Sequence, residues 1–160
     1  MDEALRKKLS NLRVLFYDFD GVMTDNRVLV DQNGIESVFV NRSDGLAVSR
    51  LKKRGYTQVI VSTETNPVVE KRAEKLKIPV IHGVDDKGEI IRKYLEDNSI
   101  SRESTLFIGN DLNDLPAFNA VGVKACPADA YEIIKDSADI IFQSRGGAGV
   151  IRELMDLLPE

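Results

Sequence analysis

The sequence has no tryptophan, one cysteine and one histidine in 160 residues. A lone Cys126 excludes an internal disulfide and a multi-cysteine zinc site, and points to a reducing compartment. With His82 alone, no histidine cluster can hold a softer metal. No apolar run approaches the ~20 residues of a membrane span. Met1 to Asn11 is charged and lacks the apolar stretch of a secretory signal. An excess of positive charge is also missing: the formal net charge is −4, which argues against a binder of nucleic-acid phosphates. The expected setting is the cytoplasm, with neither membrane nor nucleic acid as partner. What remains is ordinary globular composition, 42% hydrophobic and 30% charged, which excludes disordered and low-complexity classes. The length fits a single domain over 1–160 with a real core.

Strand-like and helix-like segments alternate along the chain. Val14 to Tyr17 is a short apolar run and reads as a buried strand, as do Gln58 to Val61, Val80-Ile81 and Leu106 to Ile108. Val121 to Lys124 and Ile140 to Phe142 add two more. Helical segments are expected over 44–53, with Ser43 or Asp44 as cap, over 67–75 behind Asn66-Pro67, and over 87–97. Shorter ones follow over 112–119, 130–135 and 149–158. Arg27 to Val30 and Ser37 to Val40 flank Asn33-Gly34, a strong hairpin signal. The pattern predicts an α/β, Rossmann-like fold: a mainly parallel sheet with helices on both faces, plus one small β-hairpin.

In an open α/β sheet, ligands bind beyond the carboxyl ends of the strands. Asp18-Phe19-Asp20-Gly21 follows the first strand, and Ser62-Thr63 the second parallel one. Lys87 follows the third, and Gly109-Asn110-Asp111 with Asp114 the fourth. So many converging carboxylates need positive charge among them. Carboxylates, carbonyls and water suit Mg2+. Ser62 offers a hydroxyl and Lys87 a fixed charge; with the amides around Gly21 they would cradle a phosphoryl group. Asp18 is the candidate nucleophile, forming an aspartyl-phosphate. Asp20 is the candidate acid/base, protonating the leaving oxygen and then activating water.

The set Asp18-x-Asp20-Gly21-x-x-Thr24, Ser62, Lys87 and Gly109-Asn110-Asp111-x-x-Asp114 resembles the four motifs of the haloacid dehalogenase superfamily of phosphohydrolases. The resemblance implies Asp18 as nucleophile, Asp20 as acid/base, Ser62 and Lys87 as phosphoryl holders, and Mg2+ held by Asp18, Asp111 and the Asp20 carbonyl, with Asp114 supporting. The stretches from Asp18 to Ser62 and from Ser62 to Lys87 leave no room for the cap domain of larger relatives. An acyl-phosphate must still be shielded, so neighbouring subunits are expected to supply the cover. The hairpin, whose edges would otherwise stay unpaired, is the expected assembly element.

The lidless layout, with Val40 to Gly45 and the tail Arg145 to Glu153, is similar to a homotetrameric subfamily. It includes 3-deoxy-manno-octulosonate 8-phosphate phosphatase and phosphatases of nine-carbon sialic-acid-type sugars. In the octulosonate enzymes Thr-Gly-Arg usually follows the second strand; here it is Ser62-Thr63-Glu64. Glu64, with Arg72 and Lys75 on the next helix, resembles the phosphatase of 2-keto-3-deoxynononate 9-phosphate, where these groups contact the sugar acid. The expected substrate is therefore a phosphorylated nonulosonate, with the octulosonate ester as alternative. An accessory module of an acylneuraminate cytidylyltransferase is a further alternative. A phospho-receiver domain uses similar groups, but there the lysine follows the last strand, whereas Lys87 precedes the second acidic cluster.

Taken singly, several of these groups have ordinary readings. Aspartates are common in turns, the residue 68–77 helix could be a solvated charged face, and Asn113 could be a helix cap. Gly146-Gly147-Ala148-Gly149 reads either as a flexible lead into the last helix or as a tail reaching a neighbour's site.

Overall fold

The computed structural model describes residues 2–159. Eight strands and seven α-helices follow one another as α1 (Glu3–Ser10), β1 (Val14–Tyr17), β2 (Leu29–Val30), β3 (Glu36–Ser37), α2 (Arg42–Lys53), β4 (Thr57–Val61), α3 (Pro67–Leu76), β5 (Val80–Ile81), α4 (Lys87–Asp97), β6 (Thr105–Ile108), α5 (Leu115–Phe118), β7 (Val123–Cys126), α6 (Glu132–Ser137), β8 (Ile140–Ile141) and α7 (Val150–Leu157). Six strands form one parallel sheet in the order β5-β4-β1-β6-β7-β8; β2 and β3 pair separately and antiparallel.

The sheet divides the core by residue parity, because successive strand side chains point to opposite faces. Leu15 and Tyr17 of β1 join Ile60, Leu106 and Ile108 beneath α2, α3 and α7, which bury Val48, Leu51, Val69, Ile151 and Leu154 there. Val14 and Phe16 join Val59, Val61 and Phe107 on the other face, under Ile91 and Leu95 of α4, Phe118 of α5 and Ile134 of α6. Full burial of such side chains contributes about 1.5–3 kcal/mol each, and the short strands hold together through this two-sided cover. No helix among the described residues is long and apolar enough to cross a membrane.

Several local expectations change. α1 was not foreseen: amid charged neighbours it buries Leu9 alone. The hairpin strands are shorter than the sequence suggests, pairing only Leu29 with Ser37 and Val30 with Glu36. Val40 instead bridges back to Thr24. The 112–119 segment breaks into a 3-10 turn and the short α5. Ser43 and Asp44 do not cap α2. Asn41 does, its side chain accepting from the Ser43 amide at 2.8 Å. Asp44 turns inward and accepts from the Arg152 amide at 3.0 Å, capping α7 across the fold. Gly149, at the start of α7, has no side chain to do so.

The register sets the active edge. Tyr17 pairs with Ile60 on one side and Ile108 on the other, so β1 and β6 end level and β4 runs one residue further, to Val61. The segments beginning at Asp18, Ser62 and Gly109 therefore leave the sheet side by side.

Candidate active site

Asp18 is the first residue past β1. Its amide still donates to the Ile108 carbonyl at 2.9 Å, which extends the sheet by one bond and fixes the carboxylate at the strand's end. Asp18 Oδ1 accepts from the Phe19 amide at 2.7 Å and pairs with Lys87 Nζ at 2.7 Å. Lys87 is the first residue of α4 and fully buried, with its ammonium 2.6 Å from Asp114 Oδ1. Asp114 Oδ2 in turn accepts from the amides of Asn110 at 2.8 Å and Asp111 at 3.3 Å. One ammonium thus joins the Asp18 loop to the loop after β6, and Asp114 shapes that loop. Asp114 is itself fully buried.

Two carboxylates share this single buried cation. Burial, then the nearby Asp114, pushes the Asp18 carboxyl up to about 8, while Lys87 pulls against them. Burial also lifts Asp20 above the usual carboxylate range. Burial works against the Lys87 ammonium, but Asp18 and Asp114 outweigh it and hold its pKa above the ordinary lysine value. Further positive charge at this site would favour the ionised Asp18 carboxylate.

Above the ion cluster opens a cavity of about 140 Å³ lined by Asp18, Asp20, Asn26, Ser62, Thr63, Glu64, Asn110, Asp111 and Asn113. Among the described residues, no three His, Cys, Asp or Glu side chains gather closely enough to bind a metal by themselves. A hard cation would find the Asp18 and Asp111 carboxylates and main-chain oxygen, a donor set suited to Mg2+. Asn110 lines the same cavity, and its Oδ1 is buried without a hydrogen-bond partner. The unsatisfied oxygen and the surplus negative charge both fit such an ion.

The hydroxyls fit a phosphoryl group. Ser62 Oγ accepts from the Glu64 amide at 3.1 Å, and Thr63 Oγ1 from Asn113 Nδ2 at 3.3 Å. Each keeps its own proton to donate. Gly21 sits elsewhere in the design. Its amide donates to Thr24 Oγ1 at 3.2 Å rather than into the cavity. Its φ is +78°, and a Cβ there would lie 2.0 Å from Asn110 Nδ2. It is glycine because the two loops touch. Thr24 donates to Asp20 Oδ1 at 3.3 Å.

Arg72 and Lys75 are not brought to this cavity. They line a separate one of about 680 Å³ between α2 and α3, with Arg42, Leu46 and Leu76, and Arg72 donates to the Asn41 carbonyl at 3.0 Å. Glu64, by contrast, is at the site. Asn26 and Asn113 were missed as lining residues. Asn26 adopts a left-handed φ of +64°, which asparagine tolerates better than most residues. That tolerance, one residue past Asp25, was the available signal.

Residues 62–154 match the family of haloacid dehalogenase-like hydrolases. The chain belongs to that family. This haloacid dehalogenase-like hydrolase is 30% identical over 155 residues to the 3-deoxy-D-manno-octulosonate 8-phosphate phosphatase of Haemophilus influenzae, covering 96% of this chain and 86% of that one. A crystal structure of a hydrolase of the same family from Streptomyces avermitilis shares 44% identity and a TM-score of 0.90, covering 92% of this chain and 91% of that one. The Moraxella catarrhalis octulosonate 8-phosphate phosphatase, solved with magnesium, phosphate and the sugar acid, aligns with a TM-score of 0.94 at 26% identity, covering 98% of this chain and 91% of that one. The family and the fold are thus those expected from the four motifs.

Proposed function

We infer that the protein is a Mg2+-dependent phosphomonoesterase of a phosphorylated sugar acid. One observation carries the reading: a carboxylate buried against Lys87 and Asp114 at the floor of a cavity whose walls are carboxylates and hydroxyl donors. Hydrolysis takes two displacements. Asp18 Oδ attacks phosphorus, forming an acyl-phosphate bond as the ester P–O bond breaks. Asp20 gives its proton to the departing sugar oxygen. Asp20 then takes a proton from water, whose oxygen attacks phosphorus, and the bond to Asp18 breaks to release inorganic phosphate. Ser62 and Thr63 donate to the phosphoryl oxygens, and Lys87 offsets the charge on Asp18. Asp18, Asp111 and the Asp20 carbonyl would hold Mg2+, which would supply charge stabilisation to the phosphoryl group.

A cavity of about 140 Å³ is smaller than the ~300–1,000 Å³ of typical ligand pockets. It suits a phosphoryl group, and the sugar must extend beyond it. Val28, Leu29, Val30, Ile35 and Phe39 are all at least half exposed, an apolar patch of the kind that marks an interface. A homotetramer joined through this hairpin would cover the site, and Arg72 and Lys75 would then serve a neighbour's cavity. Glu64 at the site favours a nonulosonate 9-phosphate. The Haemophilus and Moraxella relatives favour the octulosonate 8-phosphate.

A panel of both sugar-acid phosphates and simple sugar phosphates, assayed for phosphate release, decides between them. Nonulosonate 9-phosphate is expected to give the highest kcat/KM; clear preference for the octulosonate ester overturns the Glu64 reading. Chelation is expected to abolish release and added Mg2+ to restore it. Full activity in chelator, or in Asp18→Asn, would refute the chemistry.

A further inference from the structure

Gly146 and Gly147 leave no room for a side chain, and what fills that room is the backbone of the nucleophile loop. A Cβ on Gly146 would lie 2.2 Å from the Gly21 carbonyl oxygen and 3.0 Å from that of Thr24. One on Gly147, whose φ is +70°, would lie 2.6 Å from the Asp25 amide nitrogen. These are main-chain atoms, so no rotamer change relieves the overlap. The contact is also bonded: the Gly147 amide donates to the Val22 carbonyl at 3.0 Å.

The segment is held from behind. The Gly146 amide donates to Asp129 Oδ1 at 2.8 Å, and Arg145 Nε lies 3.2 Å from Asp129 Oδ2. Asn41 Nδ2 donates to the Gly147 carbonyl at 3.3 Å. The run is therefore neither a flexible lead nor free to reach a neighbour. It is pressed between Asp129, Asn41 and the loop that carries Asp20. On the other side of that loop, Thr24 passes the constraint on: its hydroxyl accepts from the Gly21 amide and donates to Asp20 Oδ1.

We propose that Gly146-Gly147 is a positioning strap for the nucleophile loop, and that Asp129, by holding the strap, is a positioning residue for the acid/base Asp20. The proposal rests on the reading of Asp20 given above. Misplacing a general acid harms a leaving group that needs a proton more than one that does not. An alkyl sugar phosphate needs it, whereas p-nitrophenyl phosphate releases a stable phenolate.

The test measures kcat and KM of the Mg2+-loaded protein on both esters, for the wild type, Gly146→Ala, Asp129→Ala and Asp20→Asn. Gly55→Ala is the control, since Gly55 also has a positive φ but no atom within 4 Å of its would-be Cβ. Asp129→Ala is expected to lower kcat/KM on the sugar phosphate at least about tenfold, a fraction of the ~10²–10⁴ that general acid–base catalysis supplies. The aryl ester should lose much less of its kcat/KM, while a fall in kcat on both would report the shared attack of water. Gly146→Ala should do the same more strongly; if it does not fold, Asp129→Ala decides alone. Gly55→Ala should match the wild type on both esters. If Asp20→Asn loses kcat/KM equally on both esters, the acid role fails, because kcat/KM reports departure of the leaving oxygen and not the later attack of water, for which Asp20 is the base on either ester. If Asp20→Asn is selective but Asp129→Ala is unchanged, or loses kcat/KM on both esters in parallel with a fall in Tm, the strap proposal is overturned.

Discussion

Lys87 faces opposing demands. A lysine with no solvent exposure loses hydration, and here it regains it only as contacts to Asp18 and Asp114. Removing one partner of a buried ionic cluster costs more than the cluster contributes, because the remaining charge is stranded. Lys87→Met is therefore expected to lower the stability of the metal-free protein by about 3–5 kcal/mol, read from the urea midpoint. A smaller loss with Mg2+ present would show the ion taking over the lysine's charge. The sequence marks Lys87 by its place after a strand, but not its depth. Depth comes from α4 packing on Phe107 and Phe118, contacts between residues far apart in the chain. The acidic motif residues were legible because their spacing is local. Arg72 and Lys75 were not, since which way a charged helix face turns is decided by its neighbour α2.

At the scale of elements, the joint between α2 and α7 carries a buried carboxyl, that of Asp44. Asp44 caps α7 while its Oδ2 stays buried without a partner. Burial pushes its carboxyl up to about 6, against the pull of the Arg152 and Ile151 amides and of Arg72. A carboxyl raised on folding favours the folded state while protonated. Its contribution is fully present below the unfolded value of 3.8 and is lost as pH rises through about 6. Asp44→Asn removes this component, so wild-type stability relative to the variant is expected to fall by up to about 3 kcal/mol between pH 4 and pH 7. A difference independent of pH would contradict it. Asp44 was expected to cap its own helix because aspartate in a first turn usually does; only the fold could hand it to another. β1, β4 and β6 were readable for the opposite reason: both faces are covered, so each is a continuous apolar run. The hairpin strands shrank because little but water lies against them.

The whole molecule presents its site at one edge of the sheet and its largest apolar exposure on the adjoining hairpin, with Phe39 at 73% and Leu29 at 65%. If the hairpin joins subunits, as proposed, the wild type should sediment as an oligomer and Leu29→Asp with Ile35→Asp as a monomer, with an unchanged far-UV spectrum. Turnover of sugar-acid phosphate should fall with it. An intact assembly, or a fully active monomer, would remove the hairpin from the account of substrate cover. The parallel architecture and its order of motifs were legible throughout, because each phosphoryl-facing loop begins where an apolar run stops.

The small volume above Asp18 has a consequence in the test tube. If a neighbouring subunit completes the seat, as proposed, binding obeys mass action: on dilution, each chain should release less phosphate while its own fold stays intact.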